Sequence, residues 1–164
     1  MPRLYPRIVA SIAFSFLLIF QAACSRTPPN PLANAMKSFS GKWKVVSLDR
    51  NGTKSDAEAL KEMSVSVEGD KFKFTELTGP TERKGDVSVR FALNEEYIIQ
   101  VDPAKSGEVD FVHTSGEHEG KTRQGLFELN GDSLKICLVP VGTARPERIA
   151  SGQGLTNFVL ERQP

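Results

Sequence analysis

The chain is poor in the residues that usually announce a chemistry: 164 residues hold two cysteines, two histidines and one tryptophan. Cys24 and Cys137 stand far apart, with no CxxC and no Cys/His cluster around either, which argues against a zinc site or a redox motif. A disulfide between them stays open by arithmetic, although small secreted domains that use bridges use several. Charge of one sign is also missing. Lys and Arg number 21 against 20 Asp and Glu, and they are scattered, so no basic stripe exists to neutralise the phosphates of a nucleic acid. No apolar run is long enough to span a membrane: Ile8 to Phe20 covers 13 residues, where a helix needs about 20. No serine sits in a G-x-S-x-G elbow, and Gly152 and Gly154 do not follow a strand and open a helix, so they read as loop glycines rather than a phosphate cradle.

What is present begins with a leader. Arg3 and Arg7 precede the apolar core, and small residues follow it, in the order of a secretory signal. Ala22, Ala23 and Cys24 match three of the four positions of a bacterial lipobox, in which the cysteine receives diacylglycerol; Gln21 stands where an apolar residue is expected. The competing site, cleavage after Ala35 in "ANA", lies well past the apolar core, behind Pro28, Pro29 and Pro31. The expected organisation is a signal peptide over 1–24, a proline-rich tether over 25–37 that lifts a domain off a surface, and one domain over 38–164. Lipid attachment at Cys24 follows, with an extracytoplasmic, membrane-anchored location and simple secretion as the alternative. Several acyl chains, each methylene contributing roughly 0.8 kcal/mol, suffice for stable attachment.

From Lys37 onward the dominant period is two, the period of strands. "KWKVVSL", "MSVSVEG", "KFKFTEL", "DVSVRFAL", "YIIQV", "EVDFVH", "GLFEL", "SLKICL" and "LTNFVLER" succeed one another. The residues expected to face inward are Trp43, Val65, Val67, Phe72, Phe74, Phe91, Ile99, Phe111, Phe127, Leu134, Ile136 and Phe158. "EGDK" at 68–71 and "NGDS" at 130–133 supply hairpin turns. "SDAEALKEM" breaks the pattern, and Ser55 with Glu58 three residues on predicts a capped short helix. Successive strands with one apolar face satisfy their edges by closing into an all-β, up-and-down antiparallel barrel of about eight to nine strands. A two-sheet sandwich is the alternative.

"GKWKVVSLDRNG", "VEGDKFKF", Asp102-Pro103, "GLFELNGDSLKICLVP" and "RPERI", taken in this order, resemble a lipocalin-like domain family of unknown function expanded in planctomycete bacteria. The run from Gly125 to Leu138 is its most specific piece. Cys137 belongs to that run, and the resemblance implies a buried structural thiol. It implies a lipocalin-like barrel and supplies no activity. Two departures are visible: Ile149 replaces a usual Phe, and "TERKGDVSVRFALNEE" is longer than usual, which leaves room for an added hairpin. Gly41-Lys42-Trp43 also resembles the Gly-x-Trp opening of true lipocalins, where the Trp plugs the closed end and a late Arg lies across it. Arg162 is placed for that role through a cation–π contact; the alternative is an ordinary core Trp and a solvated Arg.

The strongest candidate for chemistry is "DFVHTSGEHEG", which gathers Asp110, His113, Glu117, His118 and Glu119. It lacks the spacing of HExxH or of an HxH strand pair, and a polar hairpin loop is the plainer reading, so neither a metal nor a cofactor is expected. Arg145 and Arg148 lie in the long segment 142–154, which reads either as a solvated loop or as one that gates a barrel mouth or touches an anionic partner. The expectation is a non-enzymatic domain with a binding role, a small apolar ligand being one candidate. An envelope protein-interaction or structural module with a solid core is the alternative.

Overall fold

The computed structural model describes residues 36–84, 87–102 and 104–164, with the side chains of 78–92 left aside. The leader with Gln21 and Cys24, the tether up to Ala35, Pro103 and the side chains of Val87, Val89 and Phe91 lie outside the described residues. The elements are β1 (Gly41–Arg50), β2 (Thr53–Lys54), helix α1 (Ala57–Lys61), β3 (Met63–Glu68), β4 (Lys71–Lys84), β5 (Val87–Gln100), β6 (Glu108–His113), β7 (Thr122–Asn130), β8 (Ser133–Leu138) and β9 (Thr156–Arg162). Each strand pairs antiparallel with the next around the sheet, and β1 pairs with β9. The result is a closed eight-stranded, lipocalin-like barrel with β2 added outside it on β1.

Alternation decides what goes inside. Trp43, Val65, Val67, Phe72, Phe74, Ile99, Phe111, Leu134, Ile136 and Phe158 are all buried, as the period-two pattern predicts. Phe127 is only partly buried, because it sits at the rim, where Phe39 covers it edge-on at 4.8 Å between ring centroids. In β1 the register with β9 shifts between Val45 and Ser47. This one-residue bulge lets Leu48, as well as Trp43 and Val45, be buried in one strand.

Three details differ from the pattern. "DVSVRFAL" and "YIIQV" form one strand, β5, because the polar residues Asn94 to Glu96 between them stay in register with β4. The extra length there lengthens the β4–β5 hairpin, whose strands are 14 residues each. Arg50 and Thr53 flank Asn51-Gly52, both at positive φ (57° and 80°), which makes a tight hairpin and the additional strand β2. The helix is present, but its cap is Asp56 rather than Ser55: the Asp56 carboxylate accepts from the Ala59 N–H at 2.8 Å, and Glu58 pairs with Lys61 at 2.7 Å.

The barrel has two unlike ends. Gly41, the turns joining β3 to β4 and β7 to β8, and Arg162 lie at one. Arg50, Glu76, His113, Thr122 and Thr156 lie towards the other, together with the projecting β4–β5 hairpin.

Candidate functional site

The first end is plugged. Trp43 is fully buried and donates its indole N–H to the Phe39 carbonyl at 2.9 Å. Arg162 lies over the Trp43 ring with its guanidinium carbon 4.2 Å from the centroid, and it donates to the carbonyls of Ser40 (2.6 Å) and Ser38 (2.8 Å) and to Asp132 (3.1 Å). The arrangement expected from Gly-x-Trp and a late Arg is therefore present. Gly41 has its own reason: at φ +130° it occupies a region that side chains disfavour, and a Cβ there would stand 3.0 Å from Arg162 Nη1.

The far end is polar. Period two places Glu95 on the face of Tyr97 and Ile99, and Arg123 opposite Phe111. Glu95 accepts from the Tyr97 hydroxyl at 2.8 Å, and Arg123 donates to the Val139 carbonyl (3.1 Å) and to Thr156 (2.9 Å). Arg50 pairs with Glu76 at 3.1 Å and lies 5.5 Å over Phe74. Beneath them Phe72 packs edge-on against Phe111 and Tyr97, and Phe74 against Phe158, so an aromatic floor carries a ring of charged and hydroxyl groups.

His113 sits on this rim. Its ring stacks edge-on against Tyr97 at 4.7 Å and approaches the His118 ring at 5.5 Å, while its Nε2 is buried with no hydrogen-bond partner. Burial first, then the Arg123 and His118 charges, hold His113 below its ordinary pKa, with Glu95 acting the other way. Burial, followed by the hydrogen bond and charge of Glu95, pushes the Tyr97 phenol up to about 12. A cavity of about 250 Å³ opens here, lined by Glu95, Tyr97, His113, Glu117 and His118 among others.

The structure thus divides the "DFVHTSGEHEG" cluster. His113, Glu117 and His118 converge on the cavity, whereas Asp110 points elsewhere and pairs with Arg145, and Glu119 is exposed in the turn. Among the described residues no group of three or more His, Cys, Asp or Glu is arranged to hold a metal ion. Compared with known proteins, the chain matches no family model, no curated protein and no solved structure. Its own geometry carries the functional reading.

The 142–154 segment is a largely solvated loop, as expected, but Arg145 ties it down. That side chain donates to Asp110 (2.6 Å) and to the carbonyls of Val109 (2.9 Å) and Gly125, and meets Glu108 at 3.2 Å, pinning the loop to the outside of β6 and β7. Arg148 is exposed. Further along, the Ala150 carbonyl accepts from Asn157 (2.9 Å) and from the Cys137 thiol (3.9 Å), and the Gly154 N–H donates to Asn51 (3.0 Å). Cys137 alternates with the buried Leu134, Ile136 and Leu138, so it belongs to the outer face. It is nevertheless buried, because this loop covers it.

Period two, applied to polar residues as well as apolar ones, would have marked Glu95 and Arg123 as inward-facing charges. Nothing local marks Arg145, whose hydrogen-bond acceptors Gly125, Asp110 and Val109 lie 20, 35 and 36 residues away.

Proposed function

We propose that the protein is a non-enzymatic, extracytoplasmic barrel, lipid-anchored through Cys24, that binds a small polar ligand at its far end. The observation that carries this reading is the 250 Å³ cavity in which Glu95, Tyr97, His113 and His118 converge. Convergent polar groups beside aromatic surface fix the orientation of a small ligand. An interior occupied by Trp43, Phe72, Phe74 and Phe111 favours a ligand held at the rim rather than an apolar one held deep inside. The likeness of Gly125–Leu138 to the planctomycete lipocalin-like domains belongs to the same proposal.

Orientation supports the anchored arrangement. The helical residues 36–39 join the barrel at its plugged end, where Phe39 is buried and Met36 packs against the core. On this proposal the tether from Cys24 joins the barrel at that end.

Native mass spectrometry of a form beginning at Ser25, purified after native expression, tests the binding role. A co-purifying small molecule lost on His113→Ala is expected; recovery of the unliganded mass alone sinks the ligand. Membrane fractionation of wild type against Cys24→Ser tests the anchor, which is wrong if both partition alike.

A second reading, an envelope interaction module with a solid core, draws on a different observation. A concavity of about 570 Å³ lies largely on the outer face of β3, β4 and β5, lined by Ser66, Lys71, Lys73, Glu96 and Thr114 among others. In-cell crosslinking from Lys73 to an envelope protein, with no small molecule recovered, would favour it.

A further inference from the structure

Asp49 is the one charged residue buried among the described residues, at 3% exposure. Its Oδ1 has no hydrogen-bond partner. Directly across the β1–β9 ladder stands Asn157, whose Oδ1 is also buried and unpartnered. The orientation of that amide is set, because its Nδ2 donates to the Ala150 carbonyl at 2.9 Å. Asp49 and Asn157 are thus cross-strand neighbours, a position in which side chains stand about 5 Å apart, and each offers an acceptor where neither offers a donor.

Two features make this more than an accidental mismatch. A buried carboxylate without a counter-charge is costly enough that such groups are normally paired, neutralised by a proton or bound to a cation. No ion pair to Asp49 occurs among the described residues; Lys54, its register partner on β2, is exposed. The site is also closed over. The Asn51 carboxamide accepts from Gly154 N–H at 3.0 Å, and Asn51 N–H donates to the Leu155 carbonyl at 2.8 Å, drawing the 142–154 loop down beside the pair.

We infer that a small, hard monovalent cation, sodium-like, binds between the Asp49 carboxylate and the Asn157 carbonyl beneath the 142–154 loop. The two unpartnered groups are oxygens, which favour a hard cation; the neighbouring Cys137 thiol is turned to the Ala150 carbonyl instead. The formal charge is a single negative one, which a monovalent ion neutralises and a divalent ion overshoots. Bound there, the ion holds β1, β9 and the loop together. This site is separate from the far-end cavity and does not depend on a ligand binding there.

The test uses the chain from Ser25 onward. Thermal unfolding is compared in sodium chloride and in choline chloride at equal ionic strength, together with tryptic cleavage at the exposed Arg148. Sodium is expected to raise Tm by about 2 to 5 °C and to slow cleavage severalfold. Asp49→Asn places an amide donor opposite Asn157 and should fold with no sodium dependence of either readout. Asn157→Asp doubles the negative charge and should shift the preference from sodium to calcium. Equal stability of the wild type in both salts overturns the inference, as does a sodium effect that survives Asp49→Asn. Stabilisation of the wild type by calcium but not by sodium overturns the monovalent assignment.

Discussion

Arg162 closes the plugged end on Trp43, its guanidinium carbon 4.2 Å from the ring centroid, while the same two residues pair across β1 and β9. The contact joins the start of the barrel to its end, so its loss acts on closure itself. Arg162→Ala removes the cation–π contact and leaves the Ser38 and Ser40 carbonyls without this donor, at a cost of roughly 2 to 4 kcal/mol. Trp43 is the only tryptophan, so its fluorescence in a urea titration reads the effect directly. Arg162→Lys should fall between, because an ammonium keeps the charge and loses the planar fork. An unchanged midpoint in both variants would show that closure rests on the backbone ladder alone.

Gly125 has no room for a methyl group. A Cβ there would stand 2.5 Å from the Cys137 carbonyl oxygen and 2.5 Å from Leu138 Cδ2, and the first of these is backbone within the β7–β8 ladder. Gly125→Ala is expected to cost about 1 to 3 kcal/mol, whereas an alanine at Gly120, which has nothing within 4 Å, meets only its backbone preference. Chemical denaturation of the two variants side by side checks the contrast.

Tyr97 titrates late. The leader holds the other tyrosine, Tyr5, so a form beginning at Ser25 reports Tyr97 alone. Its phenol, pushed from 10.0 to about 12, keeps its proton in the folded state while the unfolded state loses it. Stability from this group is therefore full below 10.0 and falls as pH rises towards about 12. Glu95→Gln removes the neighbouring charge and should move the phenolate absorbance transition to lower pH. A transition at 10.0 in the wild type would contradict the burial of the hydroxyl.

His113 acts in the opposite direction. Its pKa lies below 6.5, so as pH falls the unfolded chain takes up this proton first and the folded state loses stability from 6.5 downward. Arg123→Gln, by removing a neighbouring positive charge, should bring the His113 value up towards ordinary. Histidine proton shifts followed by NMR across that range, with His118→Gln to assign the signals, check both statements.

Arg145 is predicted to control access to Cys137. In the chain from Ser25 onward this is the single thiol, and it is buried under a loop that Arg145 pins to Asp110 and Glu108. Arg145→Ala should raise the rate of labelling by a thiol reagent at least tenfold while leaving far-UV circular dichroism unchanged. Equal labelling rates would mean that the loop holds without the arginine.

Much of the barrel was legible because burial in a closed sheet imposes period two. Phe72 and Phe74, or Leu134 and Ile136, state their facing without any long-range knowledge. The Trp43–Arg162 contact was only partly legible: Gly-x-Trp and a late Arg offered it as one of two readings, and it forms because closure brings the first and last strands together. What stayed hidden depends on contacts across the fold. Asn94 to Glu96 looked like a break between strands because Glu95 is polar, yet it faces inward and is satisfied by Tyr97. Arg145 looked like a loop cation because Asp110 lies 35 residues away. Asp56 outcompeted Ser55 as the helix cap by one position, a distinction that depends on local backbone angles rather than on residue type. The far-end cavity was half legible: His113, Glu117 and His118 stood out as a cluster, and Glu95 did not.

Closure also has a consequence for how the molecule meets others like itself. A closed barrel offers no strand edge, yet β4 and β5 run on beyond it. Among the described residues β4 has no outer strand partner after Glu76, and β5 has none on its β6 side before Tyr97. From Thr78 to Lys84 on β4 and from Val87 to Phe91 on β5 the two strands pair with each other, forming a two-stranded arm. A tendency of this protein to pair strand to strand, whether with another copy or with a growing aggregate, has its longest template in that arm, the two-residue β2 being the other edge.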